Sequence, residues 1–270
     1  MSLPSRPRPV VLITGASAGI GAALARIYAA NGWDLVLTAR REAPLHALAA
    51  ELAPSGAAST ILTDDLADPV APRRLFDAIQ TMGLGVDGLI NNAGFSRTAG
   101  FLNTDPAAHR AMIQVMLAAP VELARLFAPG MVERGYGRIL NVASLAGQMP
   151  ATGGDTLYGP IKSFLIKASQ GLHLELRGTG VHVTALCPGY TLTEFHDANG
   201  TRDQVSSAYP AWMWQTAHHV ARVGYEACEA NRPKVTPGVM NNLLAVLAKH
   251  LPDRVALQMV GGHAKRLKRI

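Results

Sequence analysis

The sequence predicts a single doubly wound α/β domain, in which a parallel sheet of about seven strands carries helices on both faces. Two observations support this fold class. Short apolar or β-branched runs alternate with longer amphipathic stretches through most of the 270 residues, as repeated βαβ units require. A glycine-rich run follows the first apolar run and opens the first amphipathic stretch. The predicted strands are Val10–Thr14, Asp34–Thr38, Ser59–Thr63, Gly88–Asn91, Arg138–Val142, Val181–Cys187 and a short last strand at Lys234–Val235.

Helices are predicted between these strands, where apolar residues recur at helical spacing. Asp105 before Pro106 is a helix start signal, because it pairs an N-cap side chain with a residue that has no amide N–H. A chain of this length can form one large domain. We expect a core at 10–193, a region covering the binding site at 194–232 and a C-terminal extension at 233–270. The predicted helices are Ile20–Ala30, Pro44–Leu52, Val70–Gln80, Ala107–Leu117, Val121–Val132 and Ile161–Arg177.

The distribution of charge argues against a nucleic-acid-binding protein. The formal net charge is +6, and six basic residues without any acid lie within Met1–Pro9 and His263–Ile270. The rest of the chain therefore carries 19 basic residues against 19 acidic ones, since 25 minus 6 is 19. A basic groove is not predicted. The tails are expected to be solvated, and contact of the basic C-terminus with an anionic membrane or a partner is the alternative.

Composition also bears on location and metal content. Hydrophobic residues make up 49% and charged residues 16% of the chain, which predicts a well-buried interior rather than disorder. Cys187 and Cys228 are the only cysteines, so no metal-ligand cluster is indicated and a reducing compartment fits. No apolar run approaches the roughly 18 residues that span a bilayer, and Met1–Pro9 lacks the pattern of a signal peptide. A cytoplasmic protein is expected.

The segment Thr14–Gly21 reads Thr-Gly-Ala-Ser-Ala-Gly-Ile-Gly and joins a predicted strand to a predicted helix. Its glycines permit a tight turn and close approach of a pyrophosphate to the main chain, while the helix N-terminus favours the phosphate charge. The spacing differs from the commoner G-x-G-x-x-G fingerprint, and a purely structural turn is the alternative. The candidate cofactor contacts of this loop are Gly15, Ser17, Ala18, Gly19, Ile20 and Gly21.

The residues after the second predicted strand bear on the choice of nucleotide. A site for the unphosphorylated nucleotide usually places an acid there to bind the adenosine ribose diol. This chain has Arg40 and Arg41 instead, and guanidinium groups suit a 2′-phosphate. We therefore expect NADP rather than NAD. The alternative is that both arginines are surface residues at a helix entrance.

A tyrosine and a lysine four residues apart are the strongest candidates for proton transfer. Tyr158 and Lys162 are separated by one helical turn, and Ser144 stands upstream of them. A tyrosine hydroxyl titrates near ~10, so it needs a nearby cation to lower its pKa if it is to act near neutral pH. The serine would hold a carbonyl or alcohol oxygen in place. Pro160 fits a first helical turn, which predicts that Tyr158 projects from a helix start.

Together these motifs resemble those of the short-chain dehydrogenase/reductase family, from about Val10 to Thr193. The resemblance implies a Rossmann-type fold, a homodimer or homotetramer, and hydride transfer between a nicotinamide and a carbonyl or secondary alcohol. Ser144, Tyr158 and Lys162 match the catalytic residues, with Lys162 also binding the nicotinamide ribose. Asn91-Asn92-Ala93-Gly94 is similar to the motif that stabilises the central sheet. The further cofactor contacts that the resemblance implies are Asp65, Leu66, Asn91, Ala93, Gly94, Tyr158, Lys162, Pro188, Gly189, Thr191 and Thr193.

One position departs from the family pattern. The family commonly has an asparagine where this chain has Met116, within Val115-Met116-Leu117. The resemblance assigns to that asparagine a local helix distortion, whose main-chain carbonyl holds a water that relays protons to the lysine. Methionine keeps the carbonyl but lacks the side-chain hydrogen bonds that support the distortion. Either the relay persists through the main chain in a slower enzyme, or the chain is an NADP-binding sensor or scaffold without turnover.

Apolar residues around the candidate site predict a hydrophobic ketone, aldehyde or alcohol as substrate. Glu194 and His196 fall near the expected substrate entrance and are candidates to orient a polar group, although an ordinary surface position is the simpler interpretation. Leu243–Leu247 and the apolar residues up to Val260 predict amphipathic helices that pack over the site or against another subunit, with peripheral membrane binding as the alternative. The apolar residues expected near the substrate are Phe95, Leu145, Met149, Leu157 and the aromatic lid Phe195, Tyr209, Trp212 and Trp214, for which ordinary core packing is the alternative.

Overall fold

A parallel sheet of seven strands runs through the computed structural model, which describes residues 8–96, 99–151, 153–193, 213–252 and 254–258. A separate two-stranded parallel ladder joins Thr191–Leu192 to Gln215–Thr216. In chain order the strands are β1 Val10–Thr14, β2 Asp34–Thr38, β3 Ser59–Ile61, β4 Val86–Asn91, β5 Gly137–Val142, β6 Val181–Leu186, β7 Thr191–Leu192, β8 Gln215–Thr216 and β9 Lys234–Val235.

The strand order of the large sheet is β3-β2-β1-β4-β5-β6-β9. The order reverses between β1 and β4, which are hydrogen-bonded neighbours with Val11 opposite Gly88. In open α/β sheets a ligand crevice forms at the carboxyl ends of the strands on either side of such a reversal. The predicted doubly wound α/β fold is confirmed, and the topology directs attention to the ends of β1 and β4.

Helices cover both faces of the sheet. One face packs against α1 Gly19–Ala30, α2 Glu42–Leu52 and α7 Ala217–Glu229. The other face packs against α3 Ala71–Thr81, α5 Ala119–Glu133 and α6 Tyr158–Glu175. The strands between them are almost wholly apolar, as in the buried Val11, Leu12 and Ile13 of β1, because a sheet covered on both sides has no solvent face. The helices are α1 Gly19–Ala30, α2 Glu42–Leu52, α3 Ala71–Thr81, α4 Pro106–Ile113, α5 Ala119–Glu133, α6 Tyr158–Glu175, α7 Ala217–Glu229 and α8 Val239–His250.

The two helices predicted between β4 and β5 form one continuous helical segment in the structure. A π-helical turn at Gln114–Ala118 joins α4 to α5. The predicted start is confirmed, because the Asp105 carboxylate accepts a hydrogen bond from the Ala107 N–H at 2.8 Å. Within the described residues, one helical segment, Pro106–Glu133, is long and apolar enough to cross a membrane by length and composition alone. It packs against β4 and β5, as a core helix does.

A buried chain of polar side chains links the centre of the sheet to α6. Asn91 Nδ2 donates to Asn141 Oδ1 at 2.8 Å, and Asn141 Nδ2 donates to Ser169 Oγ at 2.8 Å. Ser169 Oγ donates in turn to the Leu165 carbonyl at 2.6 Å. Since buried polar groups are costly unless they are paired, this chain fixes the register of β4, β5 and α6 against one another.

The segment predicted as a C-terminal extension contains β9 and α8. Helix α8 lies against the turn at 145–148 that follows Ser144, and the buried Asn241 side chain contacts Gly189. Three apolar side chains on its other side, Met240, Leu243 and Leu247, are about half exposed. Several residues singled out in the sequence lie outside the described residues, namely Glu194, Phe195, His196, Tyr209, Trp212 and the basic tail.

Replacing Asn141 with alanine is expected to lower the free energy of unfolding by about 1–3 kcal/mol, because the side-chain groups of Asn91 and Ser169 lose a buried partner. Chemical denaturation would measure the loss. Gln80→Ala on the exposed surface of α3 is the matched control, since it removes an amide group that lies in solvent. An Asn141→Ala variant as stable as this control would contradict the structural role assigned to the buried chain.

Candidate active site

Ser144, Tyr158 and Lys162 lie together at the carboxyl end of β5. Ser144 begins the short turn after β5, where its hydroxyl accepts a hydrogen bond from the Ala146 N–H at 3.1 Å. The Ser144 hydroxyl lies near Tyr158 and acts to lower the pKa of the tyrosine. Tyr158 is the first residue of α6, as Pro160 predicted. Lys162 follows one turn later, with its Nζ 5.7 Å from the centroid of the tyrosine ring.

Burial dominates the electrostatics of this group. It raises the pKa of Tyr158 to about 12, against the lowering effect of the neighbouring Ser144 hydroxyl. It lowers the pKa of Lys162 to about 8, because an ammonium is poorly solvated there. Lys162 is 4% exposed, and its Nζ donates to the Val142 carbonyl at 2.8 Å. The sequence predicted that the lysine lowers the tyrosine pKa, and in this structure burial moves that pKa in the opposite direction.

The glycine loop lies at the adjoining end of β1. Gly19 has φ +57°, a conformation that L side chains rarely adopt. A Cβ at Gly21 would lie 2.5 Å from Asn92 Nδ2 and would also clash with the Gly15 carbonyl. Gly21 therefore allows α1 to pack closely against the loop and Asn92, and the N-terminus of α1 favours a phosphate at this turn.

Thr14 joins the glycine loop to the segment after β4. Its hydroxyl donates to the Ile90 carbonyl at 3.1 Å and accepts from the N–H groups of Asn92 and Ala93 at 3.0 and 3.1 Å. The Asn92 side chain donates back to the carbonyls of Thr14 and Gly15 at 3.0 and 3.1 Å. These bonds bring the two predicted cofactor segments, Thr14–Gly21 and 91–94, side by side at the reversal of strand order.

The arginines after β2 lie near the same loop. Both Arg40 and Arg41 are exposed, and Arg41 Nη2 donates to Ser17 Oγ at 3.4 Å. Arg41 thus reaches across from the end of β2 to a residue of the glycine loop. The next predicted contacts follow β3, where Asp65 Oδ1 accepts from the Ala67 N–H at 3.0 Å and Leu66 is buried.

The segment after β6 closes the other side of the site. Its Pro188 carbonyl accepts from the Leu145 N–H at 2.8 Å, which ties it to the turn that carries Ser144. Thr191 Oγ1 donates to the Gly189 carbonyl at 3.0 Å. Thr193 packs against the glycine loop, since a Cβ at Gly19 would lie 3.1 Å from its side chain. The structure thus brings the predicted cofactor segments to the carboxyl end of the sheet.

Met116 lies in the middle of the π-helical turn and is buried, with an exposed fraction of 1%. A Cβ at Gly94 would lie 3.1 Å from Met116 Sδ and 3.7 Å from Lys162 Nζ, so the thioether lies close to the lysine ammonium. The helix distortion is present at this position, although Met116 cannot make the side-chain hydrogen bonds that the family resemblance assigns to asparagine.

Pro120 supplies a physical reason for the distortion. The Ala119 N–H donates to the Gln114 carbonyl, five residues back. Pro120 has no N–H and cannot donate to the carbonyls of Val115 or Met116, and a proline ring clashes with the carbonyl four residues before it. The buried Asn91 side chain donates to the Pro120 carbonyl at 3.4 Å. Pro120 therefore maintains the π-helical turn. This proline was the sequence signal for the turn, and the prediction from helical periodicity missed it.

Asp155 was also missed. Its carboxylate Oδ2 accepts from Ser96 Oγ at 2.8 Å, and its main-chain carbonyl accepts from the Tyr158 N–H at 3.2 Å. The sequence signal was its isolation, because no other charged residue stands between Arg138 and Lys162. The expected apolar contacts Phe95 and Leu157 are half-buried and pack in the same cluster as Tyr158 and Met116.

Comparison with known proteins agrees with this geometry. The family model for short chain dehydrogenase matches residues 9–204. Sulfoacetaldehyde reductase 2 of Chromohalobacter salexigens is 36% identical over 200 residues, or 73% of this chain and 79% of that protein. The NADP-dependent 3-hydroxy acid dehydrogenase YdfG of Salmonella typhi is 35% identical over 187 residues, or 67% of this chain and 71% of that protein.

A solved structure is similar over almost the whole chain. The short-chain dehydrogenase from Sphingobium yanoikuyae in complex with NADPH has a TM-score of 0.77 and 31% identity, and the match covers 96% of this chain and 95% of that one. These matches agree with the topology of the sheet and with the glycine loop. They also agree with the serine, tyrosine and lysine that lie together at the carboxyl end of the sheet. The chain belongs to the short-chain dehydrogenase family.

Proposed function

We propose that this protein is an NADP(H)-dependent oxidoreductase that transfers a hydride between the nicotinamide and a carbonyl or secondary alcohol of a hydrophobic small molecule. The observation that carries the proposal is that Ser144, Tyr158 and the buried Lys162 lie together at the carboxyl end of β5, with the lysine one helical turn after the tyrosine. This arrangement lies next to the reversal of strand order between β1 and β4 and beside the glycine loop. A nucleotide and a substrate bound there would both contact it.

The residues present fit a dinucleotide. The N-terminus of α1 suits a pyrophosphate, and Gly21 allows the helix to start close against the loop, because a Cβ there would clash with the Gly15 carbonyl and the Asn92 side chain. Arg41, joined to Ser17, and Arg40 suit a 2′-phosphate. The NADP-dependent relative and the neighbour in complex with NADPH support the phosphorylated form. When bound, the nucleotide supplies the hydride.

The side chains of this chain would supply position and a proton. In the direction of reduction, Ser144 donates a hydrogen bond to the carbonyl oxygen, and Tyr158 donates its proton as negative charge develops there. Lys162 stabilises the tyrosinate that remains. Because the pKa of Lys162 is about 8, the ammonium is charged at pH 7 and loses its proton at moderately alkaline pH. The electrostatic support for Tyr158 therefore weakens as the pH rises through 8.

A sensor or scaffold without turnover is the second candidate, since Met116 stands where the family commonly has asparagine. The π-helical turn favours the enzyme. The resemblance implies that a main-chain carbonyl at this position holds the proton-relaying water, and Pro120 leaves the Met116 carbonyl without its usual helical donor. A relay through that carbonyl therefore does not need an asparagine side chain.

The remaining assignments are also proposals. Phe95 and Leu157 support a hydrophobic substrate. We assign residues 10–193 to cofactor binding and catalysis, 194–232 to substrate cover and 233–270 to a C-terminal extension. A homodimer or homotetramer in the cytoplasm is expected from the family resemblance and the sequence, with membrane contact by the basic C-terminus as the less favoured alternative.

Tyr158→Phe is expected to reduce turnover of a carbonyl substrate by at least about a hundredfold, because the proton donor is lost. The affinity for NADPH, measured by fluorescence titration, should change little. Tyr136→Phe, at the opposite end of the sheet before β5, is the matched control and should retain activity. Substantial turnover by Tyr158→Phe would remove the tyrosine from its proposed role.

Replacing Arg40 and Arg41 together with alanine is expected to raise KM for NADPH by about tenfold or more, because charge-assisted bonds to the 2′-phosphate are lost. KM for NADH should change little, since that nucleotide has no such phosphate. Arg73→Ala on α3 serves as the surface control. A wild-type protein that prefers NADH would overturn the role given to the two arginines.

Pro120→Ala tests the support of the π-helical turn. Alanine restores an N–H that can donate to the Met116 carbonyl, so we expect kcat to fall by about tenfold while the dissociation constant for NADPH is retained. Pro129→Ala is the matched control, because Pro129 is a second proline inside the same helix. Equal kcat values for both proline variants and the wild type would refute the role of Pro120. An active Pro129→Ala protein would itself exclude the sensor.

A further inference from the structure

The outer face of α8 is apolar. A surface helix normally turns its apolar stripe toward the core and its polar residues toward water. In α8 this arrangement is reversed, because its one fully buried residue is the polar Asn241, while five large apolar side chains on the opposite side are between 45% and 88% exposed. Their spacing over two turns puts them on one face. These exposed side chains are Val239, Met240, Leu243, Val246 and Leu247.

Hydrogen bonds at the start of α8 fix which side of the helix faces the protein. Asn241 Nδ2 donates to the Pro237 carbonyl at 2.8 Å, and Asn242 Nδ2 donates to the Thr236 carbonyl at 2.6 Å. The Asn241 side chain also packs on Gly189, where a Cβ would lie 2.5 Å from Nδ2. A rotation of α8 that buried its apolar face would break all three contacts. The apolar face is therefore an outer surface of this fold.

The apolar surface continues beyond α8. Val255 and Leu257 are 43% and 56% exposed, whereas Ala256 between them is buried and its N–H donates to the Pro252 carbonyl at 3.0 Å. Of the seventeen large apolar side chains that are exposed in the described part of the chain, seven lie within 239–257. Single exposed apolar residues are normal on a protein surface, but a concentration of this kind indicates an interaction site.

The charge around this surface is positive. Among the described residues after Glu229 there are four basic residues and no acid, and two of the basic residues, Lys249 and Arg254, are exposed next to the apolar face. Over 233–270 the sequence has seven basic residues and one acid. Residues 1–232 therefore carry 18 of each sign, since 25 minus 7 and 19 minus 1 both give 18, and the extension carries the whole formal net charge of +6.

This combination favours a lipid surface over a second copy of the chain. A two-fold interface would place the same patch on both subunits, so the basic residues of one extension would face those of the other, and like charges brought together in this way repel. An exposed apolar helix face beside basic residues is typical of helices that lie on anionic bilayers. With 12 residues, α8 is too short to cross a bilayer.

We propose that α8 docks this protein on the surface of an anionic lipid bilayer. Its apolar face enters the boundary between headgroups and acyl chains, and Lys249 and Arg254 contact the lipid phosphates. The sequence and the family resemblance make membrane contact the less favoured use of the extension, and the exposed face of α8 is the observation that changes this order. The docking does not depend on the proposed oxidoreductase activity.

Docking through α8 would bring the bilayer close to the candidate active site. The inner side of α8 packs against the turn at 145–148 that follows Ser144 and against Gly189. The bilayer would thus lie about one helix diameter, roughly 10 Å, from these segments. A hydrophobic compound dissolved in the bilayer would have a short path to the site.

Co-sedimentation of the full chain with lipid vesicles tests the proposal. The probes are vesicles of phosphatidylcholine alone and vesicles that also contain about 30% phosphatidylglycerol, which is anionic. The affinity for the mixed vesicles should be at least about tenfold higher than for phosphatidylcholine alone, and it should fall by about tenfold or more between about 0.05 and 0.5 M salt, because salt screens the attraction.

A variant of the apolar face separates docking from general adhesion. Leu243→Gln combined with Leu247→Gln should lower the affinity for the mixed vesicles by about tenfold or more, because two side chains no longer enter the apolar layer. Leu102→Gln combined with Leu174→Gln is the matched control, since it makes the same change at two leucines that are 93% and 60% exposed elsewhere. This control should bind as the wild type does.

A charge variant makes the second comparison. Lys249→Gln combined with Arg254→Gln should lower the affinity for the mixed vesicles by about tenfold, because two contacts with anionic lipid are lost. Arg73→Gln combined with Arg222→Gln is its control, since it removes two positive charges from exposed residues of α3 and α7. This control should change the affinity little.

Absence of wild-type binding to the mixed vesicles would overturn the proposal, as would equal binding by the wild type and the Leu243→Gln, Leu247→Gln variant or equal losses in a variant and its control. Sedimentation velocity without vesicles would then identify the occupant of the face. A smaller oligomer in the Leu243→Gln, Leu247→Gln variant than in the wild type would assign the face to a second copy of the chain instead.

Discussion

The rest of the site depends on the hydrogen bonds made by the hydroxyl of Thr14. A hydroxyl has one proton to donate and two lone pairs to accept with, and all three are used here, toward the Ile90 carbonyl and the N–H groups of Asn92 and Ala93. This single group fixes the end of β1 against the end of β4. The glycine loop, the segment leading to Gly94 and the lysine beside it are all positioned relative to that junction.

A second constraint acts through the helix that passes behind the site. Pro120 widens the turn before it, and Asn91 binds the proline carbonyl while also bonding to Asn141. The distorted helix is thereby connected to the central strands through buried amides. Lys162 lies between these elements, bound to the Val142 carbonyl and close to Met116. Its low pKa is a property of this enclosure, because burial removes the ammonium from solvent.

Much of the fold could be predicted from the sequence. The bounds of β1, β2 and β9 are as predicted. For β1 and β2 the reason is that a strand covered on both faces leaves an apolar signature. Tyr158 at the first position of α6 follows from Pro160. The break predicted between Leu117 and Val121 is absent, because the proline was absorbed by a wider turn instead of ending the helix. The contact between Asp155 and Ser96 joins residues 59 positions apart, which no local pattern encodes. The direction of the tyrosine pKa depends on burial that only the packed structure reveals.

The position of Met116 has a consequence for redesign. The wide turn around it is held by a proline ring and by Asn91, so the backbone there does not rely on the side chain at 116. That side chain packs against Gly94 next to the lysine ammonium. Its polarity can therefore be changed to alter the surroundings of the lysine, while the proline and Asn91 continue to hold the turn.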